Sequence, residues 1–147
     1  MSPGENDAAS LQRALSGLVR TLGLLRPDTT PCGQPITVTE AHALGELHDR
    51  GPLTQRELAV ALGLQKSTVS RLVDQLDERD LARRSPNPVD RRSVLVTLTE
   101  NGTVRAGRLA HARQALFADL IERLDPSDRR TVIDGLTRLE EAARGRP

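Results

Sequence analysis

Residues 55–76 carry small, turn-forming and apolar residues at spacings that few folds accommodate. Counting Gln55 as the first position, Ala59 stands fifth, Gly63 ninth and Val69 fifteenth. Thr54 and Glu57 form a capping box that opens a short helix to Leu62. A second helix is predicted from about Lys66 to Arg79. Where two short helices cross closely, the fifth position must be small. The turn between them needs a left-handed residue, which glycine supplies without strain. The fifteenth position packs the second helix onto the first. Leu58, Leu62, Leu64 and Leu72 complete the expected buried set. This is the spacing of a helix-turn-helix, and other tight helical hairpins share parts of it.

The outer face of the second helix is polar. Gln65, Lys66, Ser67, Thr68, Ser70 and Arg71 occupy its start and first two turns. Short hydroxyls and cations at a helix start suit phosphates and base edges in a DNA major groove. An ordinary solvated face would carry the same residue types. The segment that follows sharpens the choice. Leu81–Arg84 and Val94–Leu98 are predicted strands, the second with Val94, Val96 and Leu98 alternating. Between them lie Pro86, Pro88, Asp90, Arg91 and Arg92. A hairpin beside a helix-turn-helix is a wing. Its prolines stiffen the tip, and an arginine there suits the negative potential of a narrow minor groove. Asp90 is expected to accept from the Arg92 guanidinium and orient it. Arg84, Arg91 and Arg92 are the wing's candidate contacts.

Charge follows this division. The whole chain has 21 basic and 20 acidic residues, for a net charge of +1. Residues 1–50 are net −2, residues 51–98 net +2 and residues 99–147 net +1. The stretch from Arg83 to Arg92 holds four Arg and one Asp. Local basic surface governs phosphate binding more than the total does. Of the basic residues, Lys66 is the sole lysine, a bias that reads as compositional.

Around this basic middle the chain is predicted to be helical. Ala8–Arg26 has Leu11, Leu15, Leu18, Leu22 and Leu25 as a stripe and is expected to stop at Pro27. Thr37 with Glu40 is a second capping box, opening a helix through His48, and Gly51-Pro52 ends it. Thr99 caps a long helix through Leu124. Asp125 as cap and Pro126 at the first helical position are expected to start a last helix running to about Ala143. The fold class is therefore mainly α with a small β-hairpin. Residues 37–98 form the DNA-binding lobe. Residues 8–36 and 99–145 supply outer amphipathic helices that are expected to be able to embrace a partner copy.

Several functions are excluded. The longest nearly apolar stretch, Leu58–Leu64, has seven residues, far short of a membrane span. Met1–Ser10 lacks the basic start and apolar block of a secretory signal, and the single Cys32 suits a reducing cytoplasm. With Phe117 the sole aromatic residue, base-stacking platforms for single strands are absent. No nucleophile triad, Gly-rich phosphate loop or metal-hydrolase motif occurs, and Asp77-Glu78 and Glu140-Glu141 sit on charged helical faces. The chain reads as no enzyme, with no cofactor and no metal site.

Asp90-Arg91-Arg92, then Leu95, Leu98-Thr99 and Gly102, resembles the D-x-R…L-T-x-x-G signature of MarR-type transcriptional regulators. Thr68-Val69-Ser70-Arg71-Leu72-Val73 and Leu76 resemble that family's recognition helix. The motifs span about residues 54–102, and the element order fits over roughly 10–145. The resemblance implies a homodimeric winged helix-turn-helix protein, dimerised by its N- and C-terminal helices. It implies a repressor on a pseudo-palindromic operator, released by a small molecule or an oxidant. Recognition-helix contacts would fall on Lys66–Arg71, and wing contacts on Arg91 and Arg92, with Asp90 as orienter. Two positions depart from the pattern. Asp80 stands where many members have Gly after the recognition helix, and Gln65 stands where many have Ser or Thr. Asp tolerates the left-handed conformation, so the turn is expected to survive. A winged-helix module that binds protein, with no specific operator, is the alternative reading.

Cys32, His42 and His111 carry the remaining ligand or switch chemistry. The resemblance places them near an effector site. They are read as a small buried thiol and helix-facing imidazoles, as a thiol switch, or as a soft-metal site without compact ligand spacing. Peroxide-sensing members lean on tyrosines near the thiol, and this chain has none. Zinc-responsive members cluster histidines on the long fifth helix, where this chain has His111 alone. His48 lies at a helix end and is assigned no function.

Overall fold

The computed structural model describes residues 3–146. Met1 and Ser2, the start of the stretch Met1–Ser10 expected to lack a secretory signal, lie outside the described residues. Six helices and three short strands follow in the order α1 (Pro3–Thr21), α2 (Val38–Arg50), β1 (Leu53–Thr54), α3 (Gln55–Leu62), α4 (Lys66–Glu78), β2 (Ala82–Pro86), β3 (Val94–Leu98), α5 (Glu100–Arg123) and α6 (Arg129–Arg144). The chain divides into two compact units, Met1–Arg113 and Gln114–Pro147.

Both predicted capping boxes form. Thr37 Oγ1 accepts from the Glu40 amide, and the Glu40 carboxylate accepts from the Thr37 amide. Thr54 and Glu57 repeat the arrangement at the start of α3. Each such cap gives partners to amides that the first helical turn leaves unbonded. Gly63 ends α3 in the left-handed conformation, φ 64° and ψ 33°. Val69 is fully buried and Ala59 nearly so, as the helix-turn-helix spacing requires. Leu58 and Leu72 join them in the core, whereas Leu62 and Leu64 are only partly buried against it. The core of the first unit also includes Leu44, Val73, Leu76 and Val96.

The strands form an antiparallel sheet in the order β1-β3-β2. The hairpin pairs Ala82 with Leu98, Arg84 with Val96 and Pro86 with Val94. β1 adds Leu53 opposite Val96 on the other side of β3. It was not foreseen, because two residues after Pro52, the second of them the cap of α3, carry no alternation to read. Pro86 is tolerated because β2 is an edge strand.

Three helix boundaries differ from expectation by more than two residues, the first being the start of α1 at Pro3 rather than Ala8. α1 ends at Thr21, not at Pro27. Gly23 takes φ 74°, the Gly23 amide donates to Arg20 O, and the Leu24 amide donates to Val19 O. This left-handed glycine closure stops the helix before the proline can. At the other end, α6 begins at Arg129 rather than Pro126. Asp125 Oδ1 accepts from the Ser127 amide and hydroxyl, so its carboxylate caps a turn that precedes the helix. No side chain caps α6 itself; Asp128 stands at its start with helical φ and ψ.

The end of α4 and the start of α5 are locked together. Asp80 adopts φ 54°, as the turn demands of a residue other than glycine. The Leu81 amide donates to Leu76 O, and Leu81 O in turn accepts from the Thr99 amide at 3.1 Å. Thr99 Oγ1 donates to Asp80 O and accepts from the Gly102 amide, while Asn101 Nδ2 donates to Asp80 Oδ2 at 2.6 Å. A Cβ on Gly102 would lie 1.7 Å from Leu81 O.

Gly102→Ala must therefore displace main chain and is expected to destabilise the protein by about 3 kcal/mol, read from the urea unfolding midpoint. The Thr54 amide and hydroxyl donate to the Glu57 carboxylate and hold its pKa below the ordinary glutamate range. Its support of α3 is thus complete above the ordinary glutamate range and is lost as pH falls through the lowered value. In an NMR titration Thr54→Val is expected to return the Glu57 midpoint toward the ordinary range.

Candidate nucleic-acid interface

α4 presents its polar residues as the helical repeat dictates. Val69, Leu72, Val73 and Leu76 face the core, so Ser67, Arg71, Asp74 and Glu78 form the opposite stripe at three- and four-residue spacing. Gln65, Lys66, Ser67, Thr68 and Arg71 are exposed. Gln65 occupies the N-cap position without a side-chain cap bond, which leaves its amide group outward and the helix's first amides uncapped. Among the described residues, Lys66 and Arg71 have no ion-pair partner. Ser70 differs from its neighbours. It is half-buried, and its hydroxyl and carbonyl both face the wing strand.

The wing is built by its turn residues. Asn87 Nδ2 donates to Ser93 Oγ at 2.8 Å, and the Val89 amide donates to Asn87 Oδ1 at 3.0 Å. The Ser93 amide and hydroxyl donate to Asp90 O. Asp90 Oδ1 accepts from the backbone amide of Arg92 at 3.0 Å, not from the guanidinium as expected. The short Asp side chain satisfies its own turn, two residues on, before it can reach a long side chain. Arg91 and Arg92 are left exposed with no ion-pair partner among the described residues. Arg83, an exposed residue on β2, adds a further cation, which the sequence reading counted in the basic stretch but not among the contact candidates.

Arg84 is turned the other way. Its Nε donates to Gln55 Oε1 at 2.8 Å and its Nη1 to Asp74 Oδ1 at 2.7 Å. Its Nη2 donates to Ser70 O at 3.1 Å. The guanidinium is spent on α3 and α4. Strand alternation held the signal: Arg84 lies two residues from buried Ala82 and shares its inward face. Sequence reasoning also missed Arg79, whose Nη1 donates to the buried Glu40 carboxylate at 2.9 Å and ties the end of α4 to the start of α2.

The switch candidates do not converge. Cys32 is half-buried in the loop after α1, with Sγ 3.1 Å from Thr30 Oγ1. His42 and His48 are exposed on α2, and His111 is exposed on α5. Among the described residues no cluster of three His, Cys, Asp or Glu side chains is arranged to hold a metal ion, and no helix is long and apolar enough to cross a membrane.

Comparison with known proteins agrees with this geometry. The profile of the MarR family matches residues 34–93. The transcriptional repressor NicR of Pseudomonas putida is 39% identical over 71 residues, covering 48% of this chain and 45% of NicR. The regulator YhbI of Bacillus subtilis is 33% identical over 109 residues, covering 72% of this chain and 71% of YhbI. Among solved structures, the S. aureus MepR–DNA complex superposes with a TM-score of 0.65 at 26% identity, covering 74% of this chain and 80% of MepR. A winged helix-turn-helix with these relatives places the sequence without ambiguity: the chain belongs to the MarR family, a family of transcriptional regulators and not of enzymes.

Proposed function

We propose that this chain is a sequence-specific, double-stranded DNA-binding repressor that acts as a homodimer on an inverted-repeat operator. The observation that carries the reading is the free basic surface. Lys66, Ser67, Thr68 and Arg71 project from α4, and Arg91 and Arg92 project from a wing whose own acid is satisfied by backbone. The first group suits the major groove and the second an adjacent minor groove. MepR, a relative in fold, is seen with DNA, and NicR is a repressor.

Dimerisation is supported by apolar surface. Leu11, Leu15 and Leu18 on α1 are 48%, 46% and 42% exposed. α6 buries no residue, and its Val132, Ile133 and Leu136 are all exposed. Amphipathic helices left bare in one chain gain most by packing against a second copy. Residues 8–36 and 99–145 are then the dimerisation region, and residues 37–98 the DNA-binding lobe. Two recognition helices about one DNA turn apart, ~34 Å, would read the two half-sites. Release by a small molecule or an oxidant completes the proposal. Cys32 is where an oxidant would act, and the cytoplasm is where such a regulator would meet its DNA.

Arg71→Ala is expected to lower affinity for a selected operator about tenfold or more and to relax its sequence preference. Arg92→Ala is expected to weaken binding most on operators with A·T-rich flanks. Fluorescence anisotropy against operator and scrambled duplex reads both. Unchanged binding by both variants would remove the recognition assignment. Affinity that vanishes for every sequence at physiological salt would favour a protein-interaction module instead. In sedimentation equilibrium the wild-type chain is expected at dimer mass, and Leu15→Glu is expected to shift it toward monomer with loss of operator binding.

A further inference from the structure

The least expected feature of the DNA-facing side is that an arginine next to the wing makes no use of its charge outward. We infer that Arg84 is the positioning residue that registers the wing against the reading helix, and that its charge neutralises Asp74 on that helix's outward stripe instead of meeting phosphate. The inference rests on the DNA-binding reading above and names a residue on which its specificity depends.

Three elements meet at this one side chain. Arg84 lies on β2, Gln55 is the first residue of α3, and Ser70 and Asp74 are one turn apart on α4. The guanidinium donates along three directions at once, to Gln55 Oε1, to Asp74 Oδ1, and to the carbonyl and hydroxyl of Ser70. A planar fork can do this and a lysine ammonium, as a point charge, cannot hold the same set. The contact also fixes the strand on which the wing hangs, because Arg84 pairs with Val96 at the centre of the sheet. The side chain is 32% exposed and Asp74 57% exposed, so the pair sits at the surface without opening outward on the arginine's side.

Asp74 explains why the charge is needed. It follows Ser67 and Arg71 on the outward stripe of α4, where a free carboxylate would repel the phosphates flanking a major groove. Beyond it lie the exposed Asp77 and Glu78. The helix is thus basic at its start and acidic toward its end, and Arg84 marks where the acidic half is cancelled.

The test uses full-length protein and two duplexes, one selected from random DNA by the wild-type chain and one scrambled. Anisotropy is followed across a salt series for wild type, Arg84→Lys, Arg84→Gln, Asp74→Asn and the double variant. Arg84→Gln is expected to bind the selected duplex at least tenfold more weakly. Asp74→Asn, which frees the guanidinium, is expected to bind the scrambled duplex more tightly than wild type. The double variant is expected to recover affinity for both duplexes relative to Arg84→Gln and to keep the wild-type salt slope. Its ratio of selected to scrambled affinity stays reduced, because the wing is no longer registered. Arg84→Lys keeps the slope and loses the same discrimination. Circular dichroism melts of the double variant and Arg84→Lys confirm folding.

Two results overturn the inference while leaving the DNA-binding reading intact. One is a double variant as weak as Arg84→Gln with a salt slope shallower by about 0.9, the mark of one lost phosphate contact. The other is an Arg84→Gln that binds and discriminates like wild type. A wild-type chain that selects no sequence at all would overturn the DNA-binding reading, and this inference with it.

Discussion

The carbonyl of Leu81 occupies the space that a side chain at position 102 would need. That close approach fuses three elements at one point: the end of α4, the residue that leads into β2, and the first turn of the long α5. The chain leaves α4 through Asp80 in a left-handed conformation, and the Asp80 carbonyl and carboxylate both receive donors from residues 99–101. Thr99 then serves α5 as its cap through the Gly102 amide. A glycine is required by the contact, not by its own φ. The L-T-x-x-G portion of the signature is therefore a structural lock, whereas the preceding D-x-R portion shapes the wing tip.

With that joint fixed, the remaining ties set where the exposed basic groups of α4 and the wing point. Arg79 holds the end of α4 to the buried Glu40 and so to the capping box of α2. Arg84 holds the middle of α4 to β2 and α3. The arginines thus divide by what they face. Those with inward partners, Arg79 and Arg84, organise the lobe. Arg71, Arg91 and Arg92 have no such partner and remain as charge for a polyanion. Arginine suits both tasks, because its fork fills a site of several acceptors and its charge survives at any physiological pH.

Local signals were legible in the sequence and cross-chain ones were not. Thr37/Glu40, Thr54/Glu57, Gly63 and Val69 could be read because a cap or a helical crossing is decided within a few residues. The stop of α1 was misplaced because two local signals competed, and the left-handed Gly23 acts before Pro27 is reached. Asp125 was read as a helix cap because an Asx turn and an N-cap use the same side-chain acceptor. Asp90 was assigned to the Arg92 guanidinium, but its nearest donor was the Arg92 amide. Arg84 was grouped with the contact arginines by its neighbours in sequence. Only the inward face of β2, set by pairing with β3, separates it from Arg83. The fold was readable, whereas which arginines turn inward was decided by pairing and packing between elements, with strand alternation at Arg84 as its local trace.

In the proposed function α4 and the wing form one reading surface, which a homodimer presents twice. The most direct measurement is combined guanine-N7 and hydroxyl-radical footprinting on a duplex selected by the wild-type chain. Two blocks of major-groove protection about ten base pairs apart, each flanked by minor-groove protection, are the predicted result. Protection confined to the sugar-phosphate backbone, with no guanine shielded and no two-fold pattern, would contradict it.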